Sequence, residues 1–190
     1  VTGGTGALGL QVAAWVVARG ARRVLLLSRS ARIAESNQSL WKALDAGAKA
    51  QFAQVELRAC DVSQPAAIAA LVAKEAGGLH ENGAVFHCAG VLADGLLRGQ
   101  SAARMSQVWA PKAGAALSLH DALERRGVSP AHFVLFSSVT SLMGTVGQTN
   151  YGAANAALDA LAAARRAHGL AGLSVQWGPW GGGHGMAKGV

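Results

Sequence analysis

A serine and a tyrosine thirteen residues apart, with a lysine upstream of both, are the side chains here whose types suit one chemistry together. Ser138 closes the apolar run Phe133-Val134-Leu135-Phe136-Ser137-Ser138, and Tyr151, the single tyrosine of the chain, opens an alanine-rich stretch. A hydroxyl at a strand end and a phenol at a helix start, converging on one cleft, are what carbonyl reduction needs. The hydroxyls polarise the oxygen, and the phenol delivers a proton as hydride arrives from a nicotinamide. An unassisted phenol has a pKa near 10, so a cation is required to lower the cost of the phenolate. Of the five lysines, Lys42, Lys49 and Lys74 belong to earlier helices or connections and Lys188 to a glycine-rich tail, which leaves Lys112. A lone tyrosine is more often core or rim, and a helix lysine more often solvated, so the weight rests on the combination.

A second constellation opens the chain. Thr2-Gly3-Gly4-Thr5-Gly6-Ala7-Leu8-Gly9 holds the spacing G-x-G-x-x-G at Gly4, Gly6 and Gly9, directly before an amphipathic stretch. Glycine permits the tight turn and lets the backbone approach a pyrophosphate, whose charge the N–H groups of a helix start stabilise. About twenty residues on, where an NAD site places an acidic side chain, the sequence reads Ser28-Arg29-Ser30. Arg29 cannot accept from a ribose hydroxyl but pairs with a 2′-phosphate, which favours NADPH. At Cys60-Asp61-Val62 the acid suits a contact to the adenine amino group or, equally, a cap on the next helix.

These residues need a scaffold that brings strand ends and helix starts to one edge. Apolar runs at 23–28, 53–60, 84–88, 132–137 and 173–177 read as short buried strands. They alternate with helical stretches near 7–19, 38–46, 65–76, 102–125 and 151–168, several closed by glycine at Gly20, Gly47, Gly77, Gly127 and Gly169. Alternation of this kind gives an α/β fold of Rossmann type, a doubly wound parallel sheet with helices on both faces. Pro111 should kink or divide the fourth helix. Polar connections fall at 30–39 and 181–185. The glycine turn follows Val1 at once, so the first strand is expected to be truncated and the chain to be a fragment of a larger protein.

With 190 residues, 51% of them hydrophobic, the chain suits a single domain over 1–190. No apolar run approaches the ~18 residues of a membrane span, and a cytoplasmic protein is expected. The formal charge of +7 is spread along the chain, which argues against nucleic acid and fits an acidic partner or a phosphorylated ligand. Cys60 and Cys88 show neither metal-ligand nor disulfide spacing and read as buried free thiols. The histidines are scattered, so no metal site is expected.

The glycine turn, the strand-end serine and the Tyr151 helix resemble the short-chain dehydrogenase/reductases. In most of that superfamily a lysine follows the tyrosine by four residues, whereas here Asn155 stands there. Asparagine at that place with the lysine upstream in Pro111-Lys112, together with Gly147-Gln148, Asn150-Tyr151 and Gln176-Trp177-Gly178, resembles ketoreductase domains of polyketide and animal-type fatty-acid synthases. The resemblance implies reduction of a 3-ketoacyl thioester on the phosphopantetheine of an acyl carrier protein, with neighbouring synthase domains as partners. It assigns Ser138 to the keto oxygen, Tyr151 to the proton, Lys112 to the nicotinamide ribose and Asn155 to the relay geometry. Val85-Phe86-His87-Cys88-Ala89-Gly90 resembles the family's fourth strand and turn, placing Ala89 and Gly90 beside the coenzyme and making His87 a positioned structural residue. Relatives that set the D-alcohol carry Leu-Asp-Asp after that strand, where this chain has Leu92-Ala93-Asp94, and Met143 stands where the opposite type has tryptophan. With Gln148 these residues imply the D-alcohol. A free-standing reductase of small ketones and a non-catalytic scaffold are the alternatives; the first should show a tyrosine-lysine pair four apart, and the second a lost catalytic side chain.

Overall fold

The computed structural model describes residues 1–79 and 82–180, so the connection at 181–185, His80, His184 and Lys188 lie outside the described residues. Five strands form at the Val-, Leu- and Phe-rich runs: β1 (Arg23–Ser28), β2 (Gln54–Ala59), β3 (Ala84–His87), β4 (His132–Ser138) and β5 (Leu173–Trp177). β1 pairs with β2, β3 with β4 and β4 with β5, each in parallel. Thr2 joins the two groups through parallel bridges to Leu27 and His87. Leu27 N–H donates to the Val1 carbonyl at 2.8 Å, and Thr2 N–H to that of Phe86 at 3.0 Å. The order across the sheet is therefore β2, β1, the Val1–Thr2 segment, β3, β4, β5. Winding reverses at that segment, and ligands of such sheets bind beyond the strand ends there.

Period-2 alternation divides the core. Val24 and Leu26 of β1 pack with α1 (Ala7–Ala18) and α2 (Gln38–Ala50) on one face. Leu27 joins Phe133 and Leu135 of β4 on the other, under α3 (Pro65–Leu79), α5 (Ala115–Glu124) and α7 (Thr149–Ala167). Burying both faces explains why these strands read as continuous apolar runs.

The expected fourth helix is divided, as its proline requires. α4 (Ala102–Trp109) ends in a π-helical turn, Ala110–Gly114, before α5 begins. Pro111 has no N–H to give the preceding turn, and the wider turn takes up the misfit. Two expected stops are corrected. Gly47 and Gly77 lie inside helices, because α2 continues to Ala50 and α3 to Leu79. Phe52, at φ 53°, takes the left-handed exit after α2 in place of a glycine. The short α6 (Thr140–Met143) was not expected from the sequence, nor was the 3₁₀ turn Glu35–Asn37 in the 30–39 connection.

Candidate active site

The glycine turn lies at the switch point and each close approach there has a steric cause. Gly3 has φ 63°, and a Cβ on it would stand 3.0 Å from the Ala89 backbone. A Cβ on Gly4 would stand 2.7 Å from Leu26 Cα, and one on Gly9 would strike the Gly3 carbonyl oxygen and lie 2.7 Å from Gly4 Cα. Gly6 is the N-cap of α1 and has no side chain to cap the first-turn N–H groups. Those donors stay directed outward, where an anion is stabilised. Asn37 Nδ2 donates to the Thr5 carbonyl at 3.1 Å and pins the turn.

A cleft of about 890 Å³ runs from this turn to the β4 end. Thr5, Ala7 and Leu8 form its floor, and Ser28, Arg29, Asp61 and Val62 its far wall. Arg29 is exposed at the mouth. Asp61 Oδ1 accepts from Ser63 N–H at 3.0 Å and Ser63 Oγ at 2.7 Å, shaping the turn before α3. Those donors, ahead of the Arg29 cation, hold its carboxyl below the ordinary range. Gly4 does not reach the wall; it serves packing.

At the other end the expected catalytic side chains converge. Ser138 and Tyr151 sit on the wall at 9% and 8% exposure, at the last residue of β4 and in the first turn of α7. The π-turn carries Lys112 inward to 3% exposure. Its Nζ donates to the Phe136 carbonyl at 2.9 Å and lies 5.1 Å from the centroid of the Tyr151 ring. Burial lowers the Lys112 pKa to about 8, against the charges of Cys88 and Asp159. Burial also pushes the Tyr151 phenol up, while Asn155 and Ser138 draw it down. Asn155 is fully buried; its Nδ2 donates to the Tyr151 carbonyl at 2.8 Å, and its Oδ1 has no protein partner. Ala89 and Gly90 line the cleft between the glycine turn and Lys112, whose Nζ lies 3.5 Å from where a Gly90 Cβ would stand.

The residues linked to stereochemistry are less uniform. Gln148 Nε2 donates to Asp94 Oδ2 at 3.1 Å, tying the segment after β3 to the start of α7. Leu92 packs with the cluster around Val108 and Tyr151. Met143 is 83% exposed and stands off the wall. Among the described residues no helix is long and apolar enough to cross a membrane.

The KR domain family model matches residues 1–182. The chain belongs to that family. Polyketide synthase GfsB of Streptomyces halstedii is 50% identical to this KR domain over 180 residues, 95% of this chain and 3% of its own length. Mycoketide-CoA synthase of Mycobacterium tuberculosis is 42% identical over 181 residues, 95% of this chain and 4% of its own. The first ketoreductase of the tylosin PKS superposes with TM-score 0.81 at 41% identity, covering 99% of this chain and 39% of that one. PlmKR1, from the first module of phoslactomycin biosynthesis in Streptomyces sp. HK803, gives 0.83 at 39% identity, covering 95% and 40%. The KR domain thus spans a few per cent of these synthases and about two fifths of the solved ketoreductase chains. Domains of this class use a nicotinamide coenzyme.

Several residues have places in or beside the site that the sequence did not reveal. Ala103, Ser106, Gln107 and Ala110 form one face of the helix before Lys112, at spacings of three and four that mark a helical stripe. Trp177 stacks on Phe136 at 5.5 Å and lies against Trp180 at 4.8 Å, and all three line the cleft. Cys60 and Cys88 both line the cleft; Cys60 is buried as expected, whereas Cys88 is only partly buried. Asn150 Nδ2 donates to the Ala93 carbonyl at 2.8 Å and its Oδ1 accepts from Tyr151 N–H at 2.8 Å, fixing the start of α7.

Proposed function

We propose that this KR domain reduces a 3-ketoacyl thioester, carried on the phosphopantetheine of an acyl carrier protein, to the 3-hydroxyacyl thioester with NADPH during polyketide chain extension. The observation that carries the reading is the convergence of Ser138, Tyr151 and Lys112 on one cleft whose other end is an uncapped glycine turn. The turn and the first-turn N–H groups of α1 fit a pyrophosphate, and Arg29 at the mouth fits a ribose 2′-phosphate.

When bound, the reduced nicotinamide supplies the hydride. Ser138 Oγ donates to the keto oxygen, and Tyr151 holds the proton that the oxygen takes up. Burial favours the protonated phenol, so Tyr151 keeps its proton until negative charge develops on the substrate. The Lys112 ammonium, itself buried, then faces the phenolate ring and offsets its charge. Asn155 Oδ1, lacking a protein partner, is the acceptor through which a proton relay can pass behind Tyr151.

The carrier protein, neighbouring synthase domains and a cytoplasmic setting belong to the same proposal, and the +7 charge suits an acidic carrier. Leu92, Asp94 and Gln148 support the D-alcohol. The test is NADPH and NADH oxidation by the full chain with a 3-ketoacyl N-acetylcysteamine thioester, followed by chiral analysis. Preference for NADPH and the D-product are expected. Binding of NADPH without turnover would favour a non-catalytic domain, and the L-alcohol would overturn the stereochemical reading.

A further inference from the structure

His87, at the end of β3, is completely buried and does not itself line the cleft, yet both ring nitrogens are engaged. Nε2 lies 2.8 Å from the Lys112 carbonyl oxygen and Nδ1 lies 2.7 Å from Thr2 Oγ1. A carbonyl can only accept, so Nε2 carries the hydrogen. Nδ1 then accepts, and Thr2 Oγ1 donates to it. The same oxygen accepts from Ala89 N–H at 3.3 Å. Donors and acceptors along this chain are fixed without an alternative arrangement. Burial, with the Lys112 cation second, holds the imidazole far below its ordinary range, at about 3, so it stays neutral across the working pH.

The Lys112 carbonyl belongs to the π-turn made necessary by Pro111, where regular i to i+4 bonding is interrupted. That carbonyl accepts one backbone N–H at the C-terminal end of the turn and, as its second bond, His87 Nε2, which ties the turn to the end of β3 and so bears on where Nζ points. Thr2 opens the glycine turn. We infer that His87 is a positioning residue with two separable tasks: through Nε2 it sets the π-turn that aims Lys112 at Tyr151, and through Nδ1 it sets the glycine turn that receives the coenzyme.

The inference rests on the proposed reduction, and the two ring nitrogens allow it to be tested apart from that reading. In His87→Gln the amide nitrogen takes the Nε2 place and keeps a donor for the Lys112 carbonyl. In His87→Asn the amide oxygen takes the Nδ1 place and keeps an acceptor for Thr2. The experiment measures NADPH affinity by fluorescence and kcat on a 3-ketoacyl N-acetylcysteamine thioester for both variants in the full chain, with folding checked by circular dichroism.

His87→Asn is expected to lose on the order of 100-fold in kcat with NADPH affinity within about threefold of wild type, as misplaced catalytic groups do. His87→Gln is expected to recover at least tenfold of that kcat while binding NADPH on the order of tenfold more weakly. Parallel losses in both quantities for both variants would reduce His87 to a packing residue and overturn the inference, as would an Asn variant with wild-type kcat. If both variants fail to fold, Thr2→Val removes the donor to Nδ1 and the acceptor for Ala89 N–H while leaving the Nε2 bond to the Lys112 carbonyl in place; weakened kcat with unchanged NADPH affinity in that variant would equally overturn it. A wild-type chain that binds NADPH without turnover would refute the proposed reduction instead.

Discussion

Replacing Lys112 by methionine should stabilise the folded chain at neutral pH while removing its activity. Lys112 is 3% exposed and its ammonium makes one hydrogen bond among the described residues, to the Phe136 carbonyl. Burial takes its pKa from 10.5 to about 8. At 1.36 kcal/mol per unit, holding the charged lysine in the fold costs about 3 kcal/mol. The sign follows from proton counts. Below pH 8 both folded and unfolded chains carry the proton and the full cost is present. Between about 8 and 10.5 the unfolded chain binds more protons, so wild-type stability gains with rising pH relative to the variant. Above 10.5 the cost is gone. Lys112→Met removes the charge at similar volume and forfeits about 1 kcal/mol of hydrogen bonding, leaving a net gain of about 2 kcal/mol. Urea unfolding of both proteins at pH 7 and pH 10.5 measures it. The expected result is a higher midpoint for Lys112→Met at pH 7 and loss of that advantage at pH 10.5. A variant less stable at pH 7, or a difference that does not change with pH, would refute the reasoning that the π-turn buries a charged lysine.

Arg29→Ser should lower the preference for NADPH over NADH about tenfold in kcat/KM, less at high salt because the side chain is exposed. Gly9→Ala should destabilise the fold by several kcal/mol and abolish coenzyme binding, since its Cβ meets rigid backbone at Gly3 and Gly4; a thermal melt and NADPH titration report both. Asp159 accepts from Ser141 Oγ at 2.7 Å, Ser174 Oγ at 2.5 Å and Gln176 Nε2 at 2.8 Å, joining α7 to α6 and β5 behind Ser138. Burial opposes its ionisation, but these donors win and hold its carboxyl below the ordinary range. Asp159→Ala should therefore cost about 2 kcal/mol above pH 4, with the difference shrinking as pH falls through the lowered value, in unfolding series at pH 7 and pH 3.

The central strands β1, β3 and β4 were legible because they are largely buried between helices, so apolar runs of strand length mark them, while β2 and β5, only half-buried, were legible from the alternation of strand and helix around them. That Ser138, Tyr151 and the glycine turn share one cleft was legible because the roles proposed for them demand a residue type at a fixed place on an element. Gly47 misled because a glycine inside a helix costs only about 1 kcal/mol, which the Leu44 and Ala48 contacts of α2 offset. The joint roles of Thr2, His87 and the Lys112 carbonyl could not be read, because they are 85 and 25 residues apart and meet only once the sheet has formed. Trp177 and Trp180 are of the same kind, since their wall exists only against Phe136.

The most direct test of the central claim is Tyr151→Phe in the full chain, with NADPH binding and reduction of a 3-ketoacyl N-acetylcysteamine thioester measured together. The variant keeps the buried ring beside Lys112 and removes only the proton donor. The account requires NADPH affinity to stay near wild type while kcat falls by on the order of 10²–10⁴, the usual contribution of a positioned general acid. A variant that turns over like wild type would show that the proton comes from elsewhere and that the convergence at this cleft is not the catalytic centre.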